Sequence, residues 1–271
     1  MKICCLGDFH YVGFRRVLEE TVRGAFEMCR LADVVVVVGD ISANGDLGLV
    51  GEVLDELKRY FDVPVLVVPG NHDLYLLPDE RGKGVNSLDK LSMFNDLVEG
   101  RGCVPLMKKP LVLGGVGFVG SIGWYDYSFR PDWMDLGAER FREKTFGLSI
   151  WADRDFVELP FSDEEFTYSL AKTLEKHVLE IKDSVDRIAI VLHHVPFREL
   201  VEYRHVPEWD YFSTFMGSSE IEYVIRKHND KVKLVVYGHQ HGGGVVTRVC
   251  REVAGIRACN CASPKPMLIE L

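Results

Sequence analysis

The sequence predicts a mixed α/β sandwich, and two observations carry the prediction. Short β-branched runs alternate with longer segments of helical spacing, and several of the runs end in glycine followed by Asp, Asn or His. Alternation of this kind builds βαβ units whose parallel strands are buried on both faces, and in such sheets function gathers at the carboxyl ends of the strands.

Residues 2–6 form the first apolar run and residues 34–38, five valines in succession, the second. Runs without polar alternation are strands with no solvated face. Residues 14–31 and 47–60 return apolar side chains at helical period, and residues 63–68 supply a third strand, which completes two right-handed crossovers. Further on, residues 111–113 and 116–121 flank Gly114-Gly115, a hairpin signal. Residues 164–182 and 221–228 read as helices, 188–192 and 232–237 as buried strands, and short apolar runs up to Leu271 as further strands. The hairpin and the terminal runs do not suit an all-parallel sheet, so a mixed sandwich is preferred to a doubly wound one. Residues 124–160 break the rhythm. They are aromatic and charged, with Trp124, Tyr125, Tyr127, Phe129, Trp133, Phe141, Phe146 and Trp151, and read as an insertion or cap packed over the sheet rather than a base-stacking platform. No repeat, linker or low-complexity tract marks a boundary, so residues 1–271 are taken as a single domain.

Composition narrows the partners. Hydrophobic residues at 47% and charged residues at 27% match a soluble globular chain able to bury a sizeable core. Lys plus Arg number 32 against 41 Asp plus Glu, and the net charge of -9 repels polyanions, which disfavours nucleic acid as a partner. The longest charge-free apolar stretch, residues 111–125, holds five glycines and falls short of the ~20 apolar residues of a spanning helix, so no membrane segment is expected. Asp8 interrupts the N-terminal run before an apolar signal region of ~7 residues can form. Seven cysteines, an odd count with no CxxC pair, suit reduced and mostly buried thiols in the cytoplasm, with Cys259-Asn260-Cys261 packing as small hydrophobes. Arg248, Arg251 and Arg257 are spaced among apolar residues as on a solvated strand face and receive no function.

Metal-capable side chains follow directly after the strands. The first run leads into Gly7-Asp8-Phe9-His10, the second into Gly39-Asp40 and the third into Gly70-Asn71-His72-Asp73. The run at 188–192 leads into His193-His194-Val195-Pro196, and the run at 232–237 into Gly238-His239-Gln240-His241. Asp8 with His10, and His239 with His241, stand two positions apart, so an extended backbone turns each pair to one face. Carboxylates, an amide oxygen and imidazoles make a donor set for manganese, iron, cobalt, nickel or zinc rather than copper(I) or an iron–sulfur cluster. Each block alone is an ordinary polar turn; together they read as a metal site. Of His193 and His194 only one can face the metals while the backbone stays extended. His177, His205 and His228 lie in helical or charged surroundings and are expected at the surface.

The ordered set Asp8-x-His10, Gly39-Asp40, Gly70-Asn71-His72-Asp73, His194-x-Pro196 and Gly238-His239-x-His241 resembles the calcineurin-like metallophosphoesterase superfamily over residues 7–241. The resemblance implies a four-layer αββα sandwich, two mixed sheets flanked by helices, with a dinuclear metal centre at the sheet edges. It implies that Asp8, His10 and His241 hold one divalent ion, that Asn71, His194 and His239 hold the other, and that Asp40 bridges them. Manganese leads the candidates. His72 would be a catalytic, non-ligand histidine near the leaving group, with Asp73 placed to orient it. The His-x-Pro pattern selects His194, which leaves His193 a supporting or core histidine.

The resemblance implies hydrolysis of phosphate esters, and a pair of divalent ions suits that chemistry. Two divalent ions about 3.5 to 4 Å apart lower the pKa of a shared water from ~15.7 towards ~7 and so supply hydroxide at neutral pH. With two carboxylates and one hydroxide the centre keeps a charge of about +1, enough to attract a phosphoryl group despite the acidic surface. His72, protonated, would give its proton to the departing oxygen. After Gly39-Asp40 the chain reads Ile41-Ser42-Ala43-Asn44-Gly45, whereas the phosphoprotein phosphatase branch of the superfamily has an acidic–arginine pair before the glycine and a glutamate after Asn-His, where this chain has Asp73. Loss of that guanidinium removes a bidentate phosphate clamp and argues against a protein Ser/Thr phosphatase. The expected function is therefore hydrolysis of a small phosphodiester or phosphomonoester in the cytoplasm. The alternative is a non-catalytic scaffold or binding module of the same fold, its cap recruiting a protein partner. The oligomeric state is not legible.

Overall fold

The computed structural model describes residues 1–241 and 249–271; Arg248 falls outside the described residues. The chain begins β1 (Lys2–Leu6), α1 (Arg15–Cys29), β2 (Val34–Val38), α2 (Leu47–Tyr60), β3 (Val65–Val68), which is the expected strand–helix alternation. Between Val68 and Leu111, a stretch given no element above, lie α3 (Pro78–Gly82), α4 (Ser87–Gly100) and β4 (Val104–Pro105). The hairpin forms as β5 (Leu111–Leu113) and β6 (Val116–Ser121), followed by α5 (Ala138–Arg142), β7 (Thr145–Phe146), β8 (Ser149–Ile150) and α6 (Asp153–Phe156). Then come α7 (Asp163–Ile181), β9 (Arg187–Leu192), α8 (Pro207–Ser213), α9 (Ser219–Lys227) and β10 (Val232–Tyr237). The described chain closes with β11 (Cys250–Val253), β12 (Ile256–Asn260) and β13 (Met267–Glu270).

Two large sheets result, ordered β13-β1-β2-β3-β4 and β11-β12-β10-β9-β6-β5. In the first, β1 to β4 run parallel and β13 lies antiparallel against β1. In the second, β6, β9, β10 and β12 run parallel, with β5 and β11 antiparallel at the edges. The valines of β2 show how the layers stack. Val34, Val36 and Val38 point into a core shared with Phe118, Val191 and Val236 of the other sheet, while Val35 and Val37 face Leu18, Val22, Val53 and Leu57 of α1 and α2. On the far side of the second sheet, Ile188 and Ile190 pack against Leu174 and Val178 of α7 and Val224 and Ile225 of α9. Helix, sheet, sheet, helix is the four-layer αββα arrangement.

Residues 124–160 lie against that outer layer: Trp124, Tyr125, Tyr127, Phe129 and Phe141 are buried among α7 side chains and Phe215. Two expectations are corrected. His177 and His228 are buried rather than superficial, because α7 packs against α9 and brings His228 Nε2 to 3.6 Å from Glu175. Cys250 and Cys259, opposite each other in the β11–β12 ladder, form a disulfide, whereas Cys4, Cys5, Cys29, Cys103 and Cys261 are free and buried. Among the described residues no helix is long and apolar enough to cross a membrane.

Candidate metal centre

The carboxyl ends of five parallel strands deliver the donors. Asp8 and His10 follow β1, Asp40 follows β2, Asn71 opens a 3-10 turn, His72–Leu74, after β3, His193 follows β9, and His239 and His241 follow β10. The exits are laced together by backbone: Asp8 N–H donates to Gly39 O at 2.9 Å, His10 N–H to Asp40 O at 3.0 Å, and Gly238 N–H to His193 O at 2.9 Å. Asp8 (φ 47°), His10 (φ 42°), Asp40 (φ 50°) and His239 (φ 65°) all sit in the left-handed region, which costs a non-glycine residue about 1–3 kcal/mol and persists where the surroundings enforce it. Two glycines make room for the carboxylates. A Cβ on Gly70 would stand 2.1 Å from Asp40 Oδ1, and one on Gly238 would stand 2.4 Å from Asp8 Oδ2.

Two donor groups meet at Asp40. On one side are Asp8, His10 and His241: His10 Nε2 lies 3.3 Å from His241 Nε2, which lies 3.6 Å from Asp8 Oδ1. On the other, His193 Nε2 lies 3.1 Å from Asn71 Oδ1 and 3.1 Å from His239 Nδ1. Asp40 Oδ2 stands between them, 3.6 Å from His10 Nε2 and 3.4 Å from His193 Nε2, while its Oδ1 accepts from the His72 backbone N–H at 2.9 Å.

Hydrogen bonds behind these atoms define which lone pairs point inward. His193 Nδ1 is 2.8 Å from Val38 O, so Nδ1 carries a proton and Nε2 is the nitrogen turned towards a carboxylate, an amide oxygen and another imidazole. The Asn71 amide is turned the same way, its Nδ2 donating to Asp153 at 2.7 Å and to Tyr75 Oη at 3.4 Å. Acceptors converging on one point fit a cation, and this mixed oxygen and imidazole set fits a divalent one. Burial and mutual attraction shift the groups of the cluster in different directions. Burial pushes Asp8 up to about 7, and burial pulls His10 down to about 4. Burial also works on Asp40 and His193, but their mutual attraction wins: Asp40 is held well below the usual carboxylate range and His193 is raised to about 9. Burial lowers His239 and His241. His72 is raised, Asp40, the Ala43 carbonyl and Asp153 together outweighing its burial.

His193, rather than the His194 expected from the His-x-Pro pattern, is the imidazole whose Nε2 stands beside Asp40, Asn71 and His239. The Nδ1 of His194 meets Ile122 O at 2.9 Å, and its ring packs on Trp124 and Tyr125 and lies 4.2 Å from the His239 ring, with Nε2 buried and without a hydrogen-bond partner among the described residues. The part expected of Asp73 also changes. The His72 ring is oriented by Ala43 O, 2.8 Å from Nδ1, while the buried Asp73 carboxylate accepts from the backbone N–H groups of Gly70, Ile41 and Ser42 and ties two strand exits together. One residue carried no signal in the sequence. Asp153, fully buried, accepts from Asn71, from Tyr75 and Tyr125 hydroxyls and from Trp151 Nε1, all at 2.7 to 2.9 Å. No spacing links it to the strand-end blocks. The centre is open at His10 and His241, whose side chains are 28% and 48% exposed, and buried at His193 and His239.

The sequence matches the family model for calcineurin-like phosphoesterases over residues 1–243. The chain belongs to the calcineurin-like phosphoesterase family. No curated protein matches this calcineurin-like phosphoesterase in sequence. Among solved structures it is similar to a phosphopantetheinyl hydrolase from Mycobacterium tuberculosis, with TM-score 0.74 and 19% identity over 97% of this chain and 90% of that one. It is also similar to the protein TT1561 of Thermus thermophilus, with TM-score 0.53, 12% identity and 97% and 90% coverage. GAP50 of Plasmodium has TM-score 0.52 and 12% identity over 97% and 72% of the two chains. At these identities the likeness is one of fold. Family membership makes this calcineurin-like phosphoesterase a metal-dependent phosphoester hydrolase in general terms, and its strand-end clusters are the candidate metal-binding groups.

Proposed function

We propose that the protein hydrolyses a small phosphodiester or phosphomonoester at a dinuclear centre. The carrying observation is Asp40 Oδ2, within 3.6 Å of His10 Nε2 and 3.4 Å of His193 Nε2, one oxygen shared by two donor groups. Asp8, His10 and His241 would hold one ion and Asn71, His193 and His239 the other, with Asp40 common to both. Manganese is the first choice, with iron, zinc, cobalt and nickel as alternatives. A pair of divalent cations supplies, when bound, Lewis acidity towards phosphoryl oxygens and a lowered pKa for the attacking water.

The chain's own residues do the rest. Asp153 and Val38 O hold Asn71 and His193 in the orientation that turns oxygen and nitrogen lone pairs inward. His72 donates Nδ1–H to Ala43 O, which leaves Nε2 as the atom that holds a proton for the departing oxygen. Its ring centroid lies 4.6 Å from that of His10, on the open side of the centre. General acid assistance of this kind is worth about 10²–10⁴-fold. Five free buried cysteines support the cytoplasm as its location, and the Cys250–Cys259 bond is the feature that pulls against it.

The test is turnover of p-nitrophenyl phosphate and bis-p-nitrophenyl phosphate by chelator-stripped protein before and after adding Mn²⁺. We expect hydrolysis of at least one ester only with metal. No metal-dependent turnover across a phosphoester panel would leave the scaffold alternative standing. His72→Ala should keep its metal and lose about 10²–10⁴-fold in kcat; an activity unchanged by that substitution would remove His72 from the reaction.

A further inference from the structure

Beside the centre a cavity of about 520 Å³ opens onto His239 and His241. Its walls come from β8, α8 and the turn after α8, and they are mostly apolar: Trp151, Val206, Trp209, Phe212 and Met216. The two indoles are locked. Trp151 Nε1–H is taken by Asp153 at 2.8 Å and its ring stacks on Phe212 and Phe215, while Trp209 Nε1–H is taken by Glu202 O at 2.9 Å and the Arg204 guanidinium covers its ring at 3.4 Å. Both residues line the cavity, and their donors are not available to sugar hydroxyls. The Ser213 hydroxyl is likewise spent on Glu202 O and Trp209 O at 3.0 Å each. The charged residues among the described lining are Glu202 and Glu208, both acidic. Glu202 is ion-paired with Arg204 Nε at 2.9 Å, so the carboxylate a second phosphate would meet is Glu208, whose described partner is the Ser149 hydroxyl.

Resting on the phosphoesterase reading, we propose that this cavity is the subsite for the organic group of the substrate, and that it selects a phosphoester with an apolar, preferably aromatic, substituent and no second anionic group. The volume lies within the range of pockets that bury a small ligand. Its contact with the two imidazoles makes it continuous with the centre, so a phosphoryl group held there can lay its substituent along the tryptophans. Sugar bisphosphates and nucleoside diphosphates are disfavoured by the same walls, since their polar surface would lie against Trp151, Val206, Trp209, Phe212 and Met216 and their second phosphate would meet Glu208.

Two measurements test it. With the Mn²⁺-loaded protein, kcat/KM for 2-naphthyl phosphate should exceed that for glycerol 3-phosphate and fructose 1,6-bisphosphate at least ~10-fold. Independently of metal, calorimetric titration of 2-naphthol into chelator-stripped protein should show binding that Trp209→Ala weakens about tenfold. Val206→Glu, at a position 49% exposed and so safe for folding, should weaken it as well. Glu208→Lys should narrow the preference for naphthyl phosphate over the bisphosphate. Equal or better turnover of the bisphosphate, or naphthol binding indifferent to both pocket variants, overturns the subsite while the phosphoesterase reading stands. No turnover of any ester overturns that reading and the subsite with it.

Discussion

His193 and His194 are adjacent in sequence and differ in what their Nδ1 atoms touch, Val38 O for one and Ile122 O for the other. Each carbonyl fixes a direction: Nε2 of His193 meets Asn71 and His239, while the His194 ring lies against Trp124 and Tyr125 and 4.2 Å from the His239 ring. His193→Ala should therefore cost more than ~100-fold in Mn²⁺ affinity, above the 10–100-fold usual for a supporting residue. His194→Ala should keep the metal and instead lower the unfolding free energy by roughly 1–3 kcal/mol. Metal content by elemental analysis and urea unfolding of both variants separate the two roles, and equal metal loss would show that the rings share the duty. Asp73 gives a second residue-scale prediction. It accepts from three backbone N–H groups in a buried loop crossing, so Asp73→Asn, which replaces an acceptor by a donor, should destabilise the fold by about 1–3 kcal/mol. The measurement is the urea midpoint; an unchanged midpoint with reduced kcat would return Asp73 to the reaction. Neither role could be read from the motif, because a pattern of residue types contains no tautomer and no hydrogen-bond partner.

At the scale of elements, the strands were legible because five successive valines or the run 188–192 have no solvated face to alternate with. The hairpin at Gly114-Gly115 and the long helix α7, opened by the Ser162 and Glu165 capping box, were equally plain. The segment 124–160 was not, since its short helices and two-residue strands are imposed by aromatic packing against α7 and Phe215 rather than by period. Its contribution to the centre comes from Asp153, the first residue of α6, whose carboxylate gathers Asn71, Tyr75, Tyr125 and Trp151. Asp153→Asn should loosen Asn71 and weaken Mn²⁺ binding by about 10–100-fold. Calorimetric titration of metal into the stripped variant checks this, and wild-type affinity would reduce Asp153 to a packing residue.

Across the whole molecule, the two sheets share one dry interior, and the donors lie at the edge where the parallel strands of both sheets end. A cation held by residues of β1, β2, β3, β9 and β10 exits binds the folded chain and not the unfolded one. Stripping it should remove about 2.7 kcal/mol at a free metal concentration 100-fold above Kd, which for a chain of this size lowers Tm by roughly 5–10 °C. Thermal unfolding with and without chelator measures the shift, and identical curves would argue that the donors hold no ion. The amino-acid sequence by itself determined the sandwich and the sheet edge at which carboxylate, amide and imidazole side chains gather, since strand burial and strand-end glycines leave local signatures. Tertiary structure alone decided that His193 Nε2 stands beside Asn71 and His239, that the His72 Nδ1 meets Ala43 O, and that Asp153 stands behind Asn71. Those choices depend on which backbone carbonyl or distant carboxylate each side chain meets, and such meetings are made between segments tens of residues apart, where no local pattern reaches.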